Sequence, residues 1–176
     1  LYARADLDLA DLAGGATVAV GNSGRLLANE QMRLAASTLS NAQGALIQAA
    51  TGSTVAAGSV SNAGTWTLAT QAGSTSLLHA GSVLDNDATG RIQSAGSMQV
   101  DAAQLVNDGK LLAGQDLQAT VTAADGLQNA GTIAADGKLA LNAGSTEATN
   151  TGTIAGNSLD VQVVSPVNSR TVQGGN

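Results

Sequence analysis

Apolar positions recur in this chain at set distances from a series of asparagines. Val20, Leu39, Val60, Leu84, Leu105, Leu127 and Ala148 stand two places before Asn22, Asn41, Asn62, Asn86, Asn107, Asn129 and Asn150. A glycine follows each asparagine within two to four residues, and Leu26, Leu46, Trp66, Ile92, Leu111, Ile133 and Ile154 stand two places beyond that glycine. Several copies then show a second alternating pair, among them Met32/Leu34, Met98/Val100, Leu117/Ala119, Leu139/Leu141 and Leu159/Val161. Alternation of this kind marks a strand with one buried face. Each period therefore predicts two or three short strands parted by Gly, Asn, Ser or Asp turns.

The asparagines lie 19, 21, 24, 21, 22 and 21 residues apart, the range in which one small unit is copied and stacked into a solenoid. Helical solenoids fit poorly, because glycine recurs throughout and no apolar stripe at i, i+3, i+4 and i+7 lasts through a repeat. Short strands cannot bury a face alone. Coiling lays each on its copy one period later as a parallel pair, with the right-handed sense of parallel crossovers.

The expected fold is all-β, a right-handed parallel β-helix of about seven to eight coils, about 35 Å long at a strand spacing near 4.8 Å. The whole of 1–176 reads as one β-helix segment: 1–20 a partial coil or N-terminal edge, with strands around Leu7/Leu9 and Ala16/Val18/Val20; 21–163 seven repeats; 164–176 a divergent last coil or tail. Pro166 in that last piece has no N–H for a ladder. The seven asparagines are assigned to corners that tolerate a left-handed backbone, with amides able to bond one another up the rod. The glycine releases the next bend, and the row from Leu26 to Ile154 fills the core. Small residues four after the glycine (Ala28, Ser94, Ala113, Ala135 and Gly156) suit a narrow interior, a pattern that Gln48 and Leu68 break. In the longest interval, Asn62 to Asn86, the segment Leu77 to Gly81 around His79 is expected to form a loop or a widened coil.

Composition narrows the function classes. The chain is 43% apolar with Tyr2 and Trp66 as its only aromatics, which suits a thin core of Ala, Val, Leu and Ile. A formal charge of −6 with seven Lys and Arg argues against a phosphate-tracking surface, and no row of aromatics offers a base-stacking platform. Nucleic acid is thus not an expected partner. No run approaches the roughly 20 apolar residues of a spanning helix. Residues 1–20 carry Asp6, Asp8 and Asp11 where a signal peptide has a basic start and an apolar middle, so the chain reads as an internal segment. Without cysteine there are no disulfides and no thiolate zinc sites.

The lines Leu127-Gln128-Asn129-Ala130-Gly131-Thr132-Ile133 and Leu105-Val106-Asn107-Asp108-Gly109-Lys110-Leu111 resemble the haemagglutinin-type repeats of the filamentous haemagglutinin family, over roughly residues 20–163. These are large bacterial exoproteins exported by two-partner secretion. The resemblance implies a β-helical shaft, secreted and held at the cell surface, that supports an adhesin or a contact-dependent growth inhibition toxin. It also implies an outer-membrane transporter as partner during export, and a host or bacterial receptor as a possible later one. No toxin module and no secretion domain are recognisable in these residues.

Candidate chemistry is sparse. Asp87 follows Asn86 as Asp108 follows Asn107, while Arg91 follows Gly90 as Lys110 follows Gly109. Stacked coils would bring these charges about 5 Å apart, as a metal or acidic-ligand site, as the acid/base pair of a β-helical polysaccharide lyase or hydrolase, or as a solvated charge cluster. Asp6, Asp8 and Asp11 lack the glycine and terminal glutamate of a calcium loop. His79 is the only histidine, no serine sits in a nucleophile elbow, and Gly14-Gly15 lack the Lys-Ser/Thr of a phosphate loop. Trp66 takes a Leu/Ile position, so it reads as core rather than as a sugar platform. Thr132 and Thr153 share an outward position. The expected function is a non-enzymatic structural shaft needing no cofactor and no metal; a receptor- or glycan-binding module is the alternative.

Overall fold

A parallel ladder requires every residue to meet its copy one period later, so a sequence with constant inward positions closes into stacked coils. The computed structural model describes residues 1–9, 18–124, 126–168 and 171–175, and of 144–147 and 164–168 the backbone alone. It is all-β, a parallel solenoid of about seven turns.

Each coil has three faces. The first holds Arg25–Ala28, Leu46–Ala49, Thr65–Ala69, Arg91–Ser94 and Lys110–Ala113, continued by the opening residues of Thr132–Asn150 and Thr153–Asn168. The other two are spanned by single bent strands, Gln31–Asn41, Gly52–Asn62, Thr75–Asn86 and Ser97–Asn107, which pair onward with the shorter Leu117–Val121 and Leu127–Asn129. Every asparagine of the repeat is the last residue of its strand.

The core is a set of vertical columns. Leu26, Ile47, Trp66, Ile92, Leu111, Ile133 and Ile154 stack in one, and Leu39, Val60, Leu84, Leu105 and Leu127 in another; all of these are buried. Trp66 is completely enclosed. A further inward column runs Met32, Ser53, Ser76, Met98, with two small members between two methionines. Ser53 Oγ donates to the Leu68 carbonyl at 2.7 Å, so its buried hydroxyl is satisfied. The Trp66 Nε1 is buried without a hydrogen-bond partner, which costs about 1–3 kcal/mol.

Three sequence expectations differ from the structure. Leu46 is only partly buried, and Ile47 occupies the core column between Leu26 and Trp66. The insertion after Asn41 shifts the repeat by one residue, so Ala45 rather than Gly44 takes the glycine position: Thr65 N donates to the Ala45 carbonyl as Lys110 N does to that of Gly90. The same shift makes Ala49, not Gln48, the small inward residue. Leu68 is buried as the extra residue of a bulge, and Ala69 pairs with Ser94 in its place. Third, Leu77 to Gly81 do not loop out. They lie in Thr75–Asn86, with Leu78 and Ala80 in the core and His79 exposed between Ala56 and Asp101. The added length sits chiefly in the preceding turn: residues 70–74 stand where the next coil has only Ala95 and Gly96, with Gly73 at φ 83°, a conformation that suits glycine. Residues 164–176, expected as a divergent last coil or a tail, continue the ladder in their described parts. Asn168 stacks in register on Asn150 and Val172 on Ile154, which makes this a further coil whose core position is still 45% exposed.

At the other end Tyr2–Ala3 pairs with Leu27 and Ala28, and Leu7–Asp8 with Met32 and Arg33, giving a partial coil. Residues 10–17, with Asp11, Gly14-Gly15 and Ala16, lie outside the described residues.

Candidate functional site

The asparagines that end these strands form a column up the rod. Each side chain turns into the body of the rod, and each Nδ2 donates to the next Oδ1: Asn22 to Asn41, Asn41 to Asn62 and Asn62 to Asn86 at 2.8 Å, then Asn86 to Asn107, Asn107 to Asn129 and Asn129 to Asn150 at 2.7 Å. The second N–H of most members reaches a first-face carbonyl near 3.1–3.2 Å, as from Asn86 to Lys110 and from Asn107 to Thr132. Burial without such partners would leave each amide at a heavy desolvation cost.

Glycine at the next position answers to space rather than to backbone conformation. None of Gly64, Gly90, Gly109, Gly131 and Gly152 has the left-handed φ, but a Cβ on any of them would run into carbonyl oxygen of the coil below, that of Gly109 in the case of Gly131. Coils approach too closely there for a side chain.

The four charges after these corners do not converge. Arg91 and Lys110 are direct ladder partners on the first face, whereas Asp87 and Asp108 are exposed at the corner. Among the described residues no ion pair joins them; a salt bridge runs elsewhere, from Lys138 Nζ to Asp160 at 3.2 Å. Asp85, two residues before Asp87, completes the acidic side. Partial burial, and then the charges of Asp87 and Asp108, hold its carboxyl above the usual carboxylate range. Alternation could have located it, since Asp85 and Asp87 flank the inward Asn86. Asp160 is held below the ordinary value, first by a hydrogen bond from Lys138 and then by one from Gln162.

Asp85 carries a pH prediction. Its pKa is raised in the folded chain, so folding takes up a proton in the window just above 3.8, and stability falls as pH rises through that window. Asp85→Asn is expected to raise the thermal midpoint at pH 7 by the equivalent of less than about 1 kcal/mol, since the group is solvent-screened. The gain should shrink as pH falls through that window and be lost only below 3.8; thermal melts at pH 7 and at about pH 3 check it.

Arg91 leads elsewhere. Its Nε donates to Gln93 Oε1, and Gln93 Nε2 donates to Thr67 Oγ1 at 2.9 Å. These three line a groove of about 450 Å³ across the first face, with Thr70 from the lengthened turn, Leu112 and Ala134 on the floor and Asp136 at the far side. Gln93 was not singled out from the sequence, although two-residue alternation places it on the outward side with Arg91.

The other expected positions stay apart. His79 lies on a different strand from the groove, exposed beside Asp101. Asp6 accepts from the Gln31 N–H at 2.9 Å. Thr132 and Thr153 are ladder partners. No group of three or more His, Cys, Asp or Glu that could hold a metal ion occurs among the described residues. Comparison with protein-family models, with curated proteins and with solved structures finds no match to this chain.

Proposed function

We propose that this chain is a structural shaft segment of a large secreted bacterial exoprotein, holding adhesive or toxic parts away from the cell surface. The observation that carries the reading is the unbroken asparagine column, six amide bonds long from Asn22 to Asn150. It ties the coils from Asn22 to Asn150 to one another along the axis with hydrogen bonds that add to the parallel ladders. A load applied at one end is then shared by backbone and side-chain bonds in parallel. The placement at a bacterial surface rests on the likeness of the repeat lines to haemagglutinin-type repeats, and export through an outer-membrane transporter belongs to the same proposal.

The mechanism is geometric: reach grows by one strand spacing per coil. Deleting 108–129 removes one period and joins Asn107 to Ala130, which keeps the column in register. In the chain displayed on cells through a C-terminal membrane anchor, this deletion should leave a cooperatively folded rod. An N-terminal fluorophore should then lie about 4.8 Å closer to the membrane. Loss of the fold, or an unchanged reach, would overturn the spacer reading.

A further inference from the structure

The groove beside Arg91 is where the repeat departs from itself. The lengthened turn 70–74 contributes Thr70 to one wall. Arg91 is half-buried and is held from behind by Gln93 through Nε, and Gln93 is in turn held by Thr67. The outer nitrogens of the guanidinium are thus set in place before any ligand arrives, which lowers the entropy lost on binding.

Charge gives the sign of the ligand. Arg91 sits directly beside Lys110 in the ladder, and like charges so placed destabilise a sheet. In a chain of net charge −6 a carboxylate could have been set between them, yet none lies within 4 Å among the described residues. The nearby acids Asp85, Asp87 and Asp108 keep one another company instead. An incoming anion would relieve the Arg91/Lys110 repulsion, and a carboxylate matches the two-pronged guanidinium.

The floor gives the body of the ligand. Ala95, Leu112 and Ala134 present apolar side chains, while Asp136 offers an acceptor at the far side. No aromatic plate is present for a sugar ring. About 450 Å³ is within the range of sites that enclose small ligands. We propose that this groove binds the free carboxyl terminus of a peptide that ends in aliphatic residues, its carboxylate on the outer nitrogens of Arg91 and its last side chains over Leu112 and Ala134.

The test uses acetyl-Ala-Leu-Val with a free carboxylate, and the same peptide as its C-terminal amide, titrated into the intact chain by calorimetry. The free acid should bind saturably and the amide at least about tenfold more weakly. Arg91→Gln should lose roughly tenfold to a hundredfold in affinity, the equivalent of one charge-assisted contact. Arg91→Lys should recover only part, because an ammonium lacks the fork. Ala134→Leu, which fills the floor without touching the charge, should also weaken binding, and it decides the matter if Arg91→Gln does not fold. Lys138→Gln, outside the groove, should change nothing. Trp66 emission verifies the fold of each variant. Equal binding of acid and amide, no saturable binding, or full affinity in Arg91→Gln or Ala134→Leu would overturn the proposal. So would Arg91-dependent binding of tetragalacturonate with none of the peptide, which would make the site one for acidic sugars. None of these outcomes alters the reach of the rod, so the spacer reading stands or falls separately.

Discussion

Ile133→Asp is expected to unfold the coils around it at neutral pH. Ile133 is fully enclosed and stacks between Leu111 and Ile154. Removing the aliphatic chain costs about 2–5 kcal/mol through lost burial and the void left behind, and a carboxylate there meets no cation and no donor, adding several kcal/mol more. The sum rivals the roughly 5–15 kcal/mol that holds an ordinary domain together. Because each coil is stabilised by its neighbours, the damage should spread to those on both sides.

Circular dichroism melts measure the loss, while Trp66, more than two coils away, reports whether the amino-terminal half survives. Protonation of the misplaced carboxyl removes its charge, so part of the stability should return as pH is lowered. Two controls pin the cause to orientation. Thr132→Asp, one residue away and half-exposed, should cost no more than about 0.5 kcal/mol. Ile133→Val should cost about 0.5–1.5 kcal/mol. An unaltered melt for Ile133→Asp would refute the inward assignment.

Asn107→Leu should be nearly as damaging, although it replaces a polar residue by an apolar one of similar size. Asn107 is fully buried. Its loss leaves the Asn86 Nδ2 without one acceptor and strips both the Asn129 Oδ1 and the Thr132 carbonyl of a donor. Each orphaned buried group costs about 1–3 kcal/mol, and partial relaxation brings the expected total to roughly 2–5 kcal/mol, read from denaturant melts. Position along the rod matters, because Asn22 is only partly buried and donates into the column from its end. Asn22→Leu should therefore cost distinctly less. The double variant Asn107→Leu/Asn129→Leu should cost less than the sum of the singles, since one bond is counted twice. Equal costs at Asn22 and Asn107, with full additivity, would assign the asparagines to local turn geometry and not to a shared column.

Much of the rod was legible because stacking makes a demand that sequence alone can display: a residue must resemble its copy one period away. Leu105 and Leu127, Leu111 and Ile133, and Asn107 and Asn129 are such pairs, and they are ladder partners. The charges were less legible. Arg91 and Lys110 do stack, but spacing along the chain carries no information on which side of a corner a side chain leaves. Arg91 turns toward Gln93 and the groove, while Asp87 and Asp108 group with Asp85. The groove has no motif. Its members Thr67, Gln93, Leu112 and Ala134 come from successive coils and meet only through register.

What the sequence determined by itself, then, is the period, the all-β class and the identity of most columns, since alternation and repetition are properties of the linear chain. Tertiary structure decided where irregular length is absorbed. Either of two adjacent apolar residues satisfies a period of two, and the ladder alone chose Ile47 over Leu46 by the carbonyl that Thr65 bonds. Extra residues can be placed at any corner, and close packing of Thr75–Asn86 against both neighbours sent them to 70–74 instead of to His79. The last coil lacks the glycine that marks the others, yet Asn168 still stacks on Asn150, because the backbone ladder continues wherever a preceding coil offers unpaired N–H and C=O groups.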